Sequence, residues 1–193
     1  MSNCIITISR EYGSGGRLVG KKLAERLGLD FYDKEIIGML AEESGLSKET
    51  IEQWAEKEVS SFFYGINRAR GTQPIPDRIF NAKTKILREL GEKGNCVIVG
   101  NCGDYILKDF EGIKKFFIYA PMAERKKRVE EVYGEDLKAY PNLIKRKDLE
   151  RKDYYNHFTS YTFGDYKNYD ACLNTALGID NVVNIIEAIV KQA

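Results

Sequence analysis

Residues 4–27, CIITISREYGSGGRLVGKKLAERL, restrict the fold more than any other stretch of the chain. Residues 4–9 are a nearly continuous apolar run rich in β-branched side chains, the signature of a strand covered on both faces. The turn Arg10–Gly16 follows, with glycine at 13, 15 and 16. Val19, Leu23 and Leu27 then recur at i, i+4 and i+8, while Lys21, Lys22, Glu25 and Arg26 fall on the other side, as in an amphipathic helix that ends at Gly28. Strand, glycine turn and helix in that order place backbone N–H groups and a helix N-terminus at one point. Such a point favours an anion.

The remainder repeats the alternation. Residues 29–33 (LDFYD) read as a very short second strand, and Lys34 to Glu43 as a helix. Ser47 is the expected N-cap of a helix through Trp54 to about Glu58. Residues 60–77, with adjacent aromatics, arginines, Gly71, Pro74 and Pro76, read as loop, a candidate for a mobile flap or for a subunit contact that would make a homodimer. A helix over Asp77–Lys93 carries the apolar stripe Ile79, Ala82, Ile86, Leu87 and Leu90. Strands are expected at 96–100, 114–120 and 171–175. Between them come a loop over 101–109 leading into a short helix, and helices opened by Pro121 and Pro141. Asp180 or Asn181 should cap the last helix. Apolar strands alternating with helices predict an α/β fold with a parallel sheet, right-handed crossovers and a ligand site outside the carboxyl ends of the strands.

At 193 residues this is one domain of ordinary size. A formal charge of +1 gives no global field toward nucleic acid or a membrane surface, and no apolar run approaches the ~20 residues that span a bilayer. The first ten residues do not read as a signal peptide. Four cysteines without a CxxC pair, and a single histidine, His157, leave a structural zinc site short of ligands. Reduced thiols and a cytoplasmic setting are expected.

The glycine loop matches neither common phosphate motif fully. Against GxxxxGK[ST], Arg10 stands at the first glycine position and Gly16 at the lysine position, followed by Arg17 and Leu18. Against GxGxxG, Gly13 and Gly15 match but position 18 is leucine. The N–H groups of Gly15, Gly16, Arg17 and Leu18, with the Arg17 charge, still predict an anion site.

ITISREYGSGGRLVGKKLAERLG, FYDKEII, CVIVGNCGDYIL and KKFFIYAPMAERKKRV, in this order over almost the whole chain, resemble the cytidylate kinase-like family. The resemblance implies a P-loop nucleoside monophosphate kinase fold, a three-layer domain whose five parallel strands lie in the order 2-3-1-4-5. It implies a monophosphate-binding insert near residues 34–76 and a helical lid near 141–169. Phosphate contacts map onto Gly13, Ser14, Gly15, Gly16, Arg17 and Leu18, with Arg125 and Arg128 from an ERxxR run. Substrate contacts map onto Tyr32, Asp33, Asn101, Asp104, Asp148 and Arg151. Relatives usually carry arginine where this chain has Asn101. The aromatic set Tyr154, Tyr155, Phe158, Tyr161 and Phe163 is expected to pack the lid or an interface.

Three readings follow. The first is a phosphotransferase that uses ATP or another nucleoside triphosphate, with Arg17 in the lysine's role and Arg151 closing from the lid. The acceptor would be a pyrimidine monophosphate or another small molecule. Magnesium would accompany the nucleotide, although the usual hydroxyl and Walker B ligands are absent, and Ser14, Asp33 and Asp104 are the candidates left. The second is a nucleotide- or anion-binding regulatory protein without turnover. The third is a Rossmann-type oxidoreductase, with Asp33 near the ribose-binding position.

Overall fold

In the computed structural model, residues 4–33, 35–54 and 73–192 are described. The continuation of the third helix beyond Trp54 and most of the 60–77 loop lie outside them. Five parallel strands, β1 (Ile5–Arg10), β2 (Asp30–Tyr32), β3 (Cys96–Val99), β4 (Ile113–Tyr119) and β5 (Ala171–Asn174), form one sheet in the order β2-β3-β1-β4-β5. β1 is central, with Ile5 opposite both Cys96 and Ile113. The described helices are α1 (Gly16–Leu27), α2 (Glu35–Ser44), α3 (Lys48–Trp54), α4 (Ile75–Lys93), α5 (Gly103–Ile106), α6 (Met122–Glu131), α7 (Leu143–Phe158) and α8 (Ile179–Lys191).

The unbroken apolar character of the strands has its cause in two cores. Ile5, Cys96 and Ile98 face one core, completed by Ile36 and Leu40 of α2, Ile79, Ile86 and Leu87 of α4, and Tyr154 and Tyr155 of α7. Ile6, Ile8, Val97, Val99, Phe116 and Ile118 face the other, against Val19 and Leu23 of α1 and Val182, Val183 and Ile186 of α8. A third small cluster joins Val129 of α6 to Leu143 and Ile144, which anchors the start of α7. Thus α1 and α4 lie on opposite faces of the sheet, and both reach its upper edge.

Some boundaries differ from those expected. α4 begins at Ile75, two residues before Asp77, because Pro76 fits a first turn that needs no N–H from it. α8 begins at Ile179 after Gly178, so Asp180 lies inside the first turn and is not its cap. Its carboxylate meets Lys22 Nζ at 2.6 Å and Arg26 at 3.3 Å, tying α8 to α1. Ser47 caps α3 as expected, its hydroxyl accepting from the Thr50 N–H at 3.2 Å. No described helix is long and apolar enough to cross a membrane.

Candidate functional site

The glycine turn folds as its sequence requires. Gly13 and Gly15 have φ of 78° and 87°, in the left-handed region that only glycine enters freely. Gly16 opens α1, leaving the first-turn N–H groups directed out of the helix. Three contacts hold the loop from behind. The Ser14 hydroxyl donates to Glu11 O at 2.9 Å, Thr175 Oγ1 donates to Ser14 O at 2.6 Å, and Arg128 donates to Gly13 O at 2.7 Å. Buried Arg125 adds a fourth, donating to Tyr12 O at 2.7 Å while pairing with Glu11 at 3.3 Å and with Asp148. Asp148 in turn accepts from the Tyr12 N–H at 2.7 Å. The helix α7 is therefore bound to the loop through the Asp148 carboxylate.

In front of the loop lies a cavity of about 630 Å³ at the carboxyl ends of β1, β2 and β3. Gly13, Gly15, Gly16, Arg17, Asp33, Asn101 and Arg151, all singled out from sequence, line it. Arg17 Nε pairs with Asp33 at 2.6 Å, and Arg10 reaches the same carboxylate at 3.9 Å. Arg151 stacks over the Tyr12 ring at 5.3 Å, and Tyr12 meets Tyr133 edge-on. Burial, then the nearby Glu135 carboxylate, push the Tyr12 hydroxyl pKa up, so it stays protonated.

The other candidates do not line the cavity. Leu18 is on the exposed side of α1, and Tyr32 turns its hydroxyl to Asp30 at 3.4 Å. Arg125, Arg128, Ser14 and Asp148 hold the loop as described. Asp104 is 1% exposed and accepts from Ser9 at 3.2 Å and from Tyr155 at 2.5 Å. Burial raises the Asp104 pKa, against the lowering effect of those two hydroxyls, and burial beside Asp104 raises that of Tyr155. Asn101 and Cys102, just above, are consecutive non-glycine residues with φ of 59° and 56°. Non-glycine residues held in that region concentrate at functional sites. Burial pushes the Cys102 thiol up to about 12, so it is unreactive at neutral pH.

Sequence reasoning missed Arg10 and Lys83. Arg10 ends β1, and its guanidinium lies across Gly100, where a Cβ would come 1.9 Å from Nη1. The same residue crowds the Walker lysine position, since a Cβ at position 16 would lie 2.7 Å from Arg10 Cβ. Arginine at the first glycine position and glycine at the lysine position are thus sterically matched. Lys83 lies on α4 midway between Ile79 and Leu87, four residues from each, and this break in an apolar stripe was its sequence signal.

Residues 5–177 match the cytidylate kinase-like family. The chain belongs to that family. It is 28% identical to the cytidylate kinase of Pyrococcus horikoshii over 174 residues, 89% of this chain and 80% of that protein. It is 27% identical to the cytidylate kinase of Archaeoglobus fulgidus over 188 residues, 96% of this chain and 92% of that one. A crystal structure of an uncharacterized protein from Eubacterium ventriosum shares 31% identity and a TM-score of 0.70, covering 98% of this chain and 99% of that one. A gluconokinase from Sinorhizobium meliloti aligns with TM-score 0.59 at 15% identity over 98% and 93% of the two chains, a likeness of fold. The P-loop kinase fold and the strand order replace the Rossmann reading.

The donor set suits a polyphosphate better than a magnesium ion held by protein groups. The Ser14 hydroxyl is turned away, Asp104 is sealed beneath the floor, and Asp33 is paired with Arg17. Among the described residues no three His, Cys, Asp or Glu side chains cluster as a metal set. These residues do not fit magnesium bound by the protein alone.

Proposed function

We propose that this protein is a nucleotide-dependent phosphotransferase that moves the terminal phosphoryl group of a nucleoside triphosphate to a small acceptor. One observation carries the reading: the glycine loop, the α1 N-terminus, Arg10, Arg17 and Arg151 converge on a single cavity at the carboxyl ends of the strands. The names of the related cytidylate kinases make a pyrimidine nucleoside monophosphate the first acceptor to try. The whole chain acts as one domain, with residues 34–76 on the acceptor side and 141–169 as the lid.

Phosphoryl transfer needs little covalent work from the protein; positioning and charge neutralisation do most of it. The triphosphate tail lies on the N–H groups at the start of α1, where the helix dipole favours negative charge. Arg17 exchanges Asp33 for the terminal phosphate oxygens, which a guanidinium grips in bidentate fashion. Arg151 comes from the lid beside it. The bond from phosphorus to the bridging oxygen breaks as a bond to the acceptor oxygen forms, and the diphosphate leaves along the loop.

A second reading, a nucleotide-binding regulatory protein, draws support from Gly16 at the lysine position and from the buried Ser14 hydroxyl. Calorimetry with ATP and a coupled assay of ADP release with a panel of acceptors separate the two. Arg17→Ala should weaken ATP binding about ten- to hundred-fold, the worth of a charged hydrogen bond. Binding without acceptor-dependent ADP release would leave the regulatory reading. No nucleotide binding at all would remove both.

A further inference from the structure

Arg17, the cation at the glycine loop, already grips an anion of the protein's own. Its Nε meets the Asp33 carboxylate at 2.6 Å, and Arg10 stands 3.9 Å from the same group. All three side chains line the cavity in front of the loop. Arg10 ends β1 and Arg17 is the second residue of α1, whereas Asp33 follows β2, the edge strand. The Asp33 N–H donates to Glu35 Oε2 at 3.0 Å, which ties its main chain to the start of α2. The Asp33 side chain is 11% exposed and that of Arg17 is 50% exposed, so the carboxylate is enclosed and the cation is within reach of solvent.

The position of the pair sets it apart from the other arginine–carboxylate contacts at the loop. Arg125 joins Glu11 and Asp148 and does not line the cavity, so its contacts only tie elements together. The Arg17–Asp33 pair stands in the cavity itself. A guanidinium fork takes carboxylate and phosphate oxygens in the same geometry. Asp33 and a phosphate chain therefore draw on the same N–H groups of Arg17.

We infer that Asp33 is an autoinhibitory anion of this site, holding Arg17 in competition with phosphate chains and lowering the affinity for them. This rests on Arg17 gripping phosphate, as in the phosphotransferase reading, and adds a control on that grip. The consequence is a sign. A carboxylate that serves only as a ligand contact weakens binding when it is removed, whereas loss of Asp33 strengthens binding of a phosphate chain.

Calorimetry on the full chain with inorganic tripolyphosphate reads the competition without a base or an acceptor. Asp33→Asn keeps the size of the side chain and removes its charge. It should bind tripolyphosphate about ten-fold tighter than wild type, the gain expected if the pair holds Arg17 about nine-tenths of the time. In an Arg17→Ala background the same substitution should change affinity by less than about two-fold, because the cation it would release is gone. Asp33→Ala serves if the asparagine variant does not fold. Unchanged or weaker binding by the Asp33 variant overturns the inference, and so does a ten-fold gain that persists without Arg17. Binding by neither wild type nor variant removes the anion site, and the inference and the phosphotransferase reading with it. Tighter binding by the variant, alongside a wild type without acceptor-dependent ADP release, supports the autoinhibitory role and removes turnover alone.

Discussion

Substituting Gly16 by alanine tests whether Arg10 and Gly16 form one packed unit. A Cβ at position 16 would lie 2.7 Å from Arg10 Cβ, 3.1 Å from its Cγ and 3.5 Å from Ile118 Cβ. Carbon atoms pack comfortably at about 3.5–4.0 Å, so the first contact is about 1 Å too close. Arg10 Cβ is fixed to the end of the central strand, and relief requires the backbone of β1 or α1 to move. Overpacking of this kind costs about 1–3 kcal/mol. For a domain of this length that lowers Tm by roughly 2–4 °C per kcal/mol. In an Arg10→Gly background the obstacle is gone. Gly16 has no positive φ, so alanine there should then stabilise by about 0.4–1 kcal/mol through the unfolded chain. The sign of the Gly16→Ala effect should therefore invert between the two backgrounds. Urea unfolding of the four proteins, with unchanged m, gives the coupling energy directly. An equal cost in both backgrounds would show that Arg10 does not exclude a side chain from the Walker lysine position.

Two further outcomes are expected. Arg125→Ala removes the buried link between Tyr12 O, Glu11 and Asp148 of α7. Because both carboxylates are partly exposed, the cost should be about 2–3 kcal/mol, below the 3–5 of a fully buried pair; a urea-unfolding loss under about 1 kcal/mol would contradict the role given to it. Asp104 has a raised pKa in the folded protein. The folded state thus holds the proton more tightly than the unfolded chain. The carboxyl's contribution is fully present below the ordinary carboxylate pKa of about 3.9 and is lost as pH rises through the folded value. Asp104→Asn should gain stability relative to wild type as pH rises from about 4, and a pH-independent difference between the two would refute this.

Much of the fold was legible because local and global demands agree. An apolar run such as CIITIS has no use except as a strand covered on both faces, and the periodicity of 19, 23 and 27 has no use except a helix against it. Helix ends were less legible where two polar residues competed. Asp180 looked like a cap, but Lys22 and Arg26 of α1 claim it, and that ion pair exists only after α1 and α8 pack together.

The sequence by itself determined the strand–loop–helix unit and the order of the elements, because these follow from periodicity and from glycine's conformational freedom. Only the tertiary structure divided the polar candidates by role. Arg17, Arg151, Asp33 and Asn101 reach the cavity, whereas Arg125, Arg128, Ser14 and Asp148 hold the loop from behind. A charged side chain looks the same in a sequence whether it faces a ligand or a carbonyl. Which it meets depends on residues far along the chain, as with Arg10 filling the space above Gly16 and Lys83 of α4 meeting Tyr154 of α7.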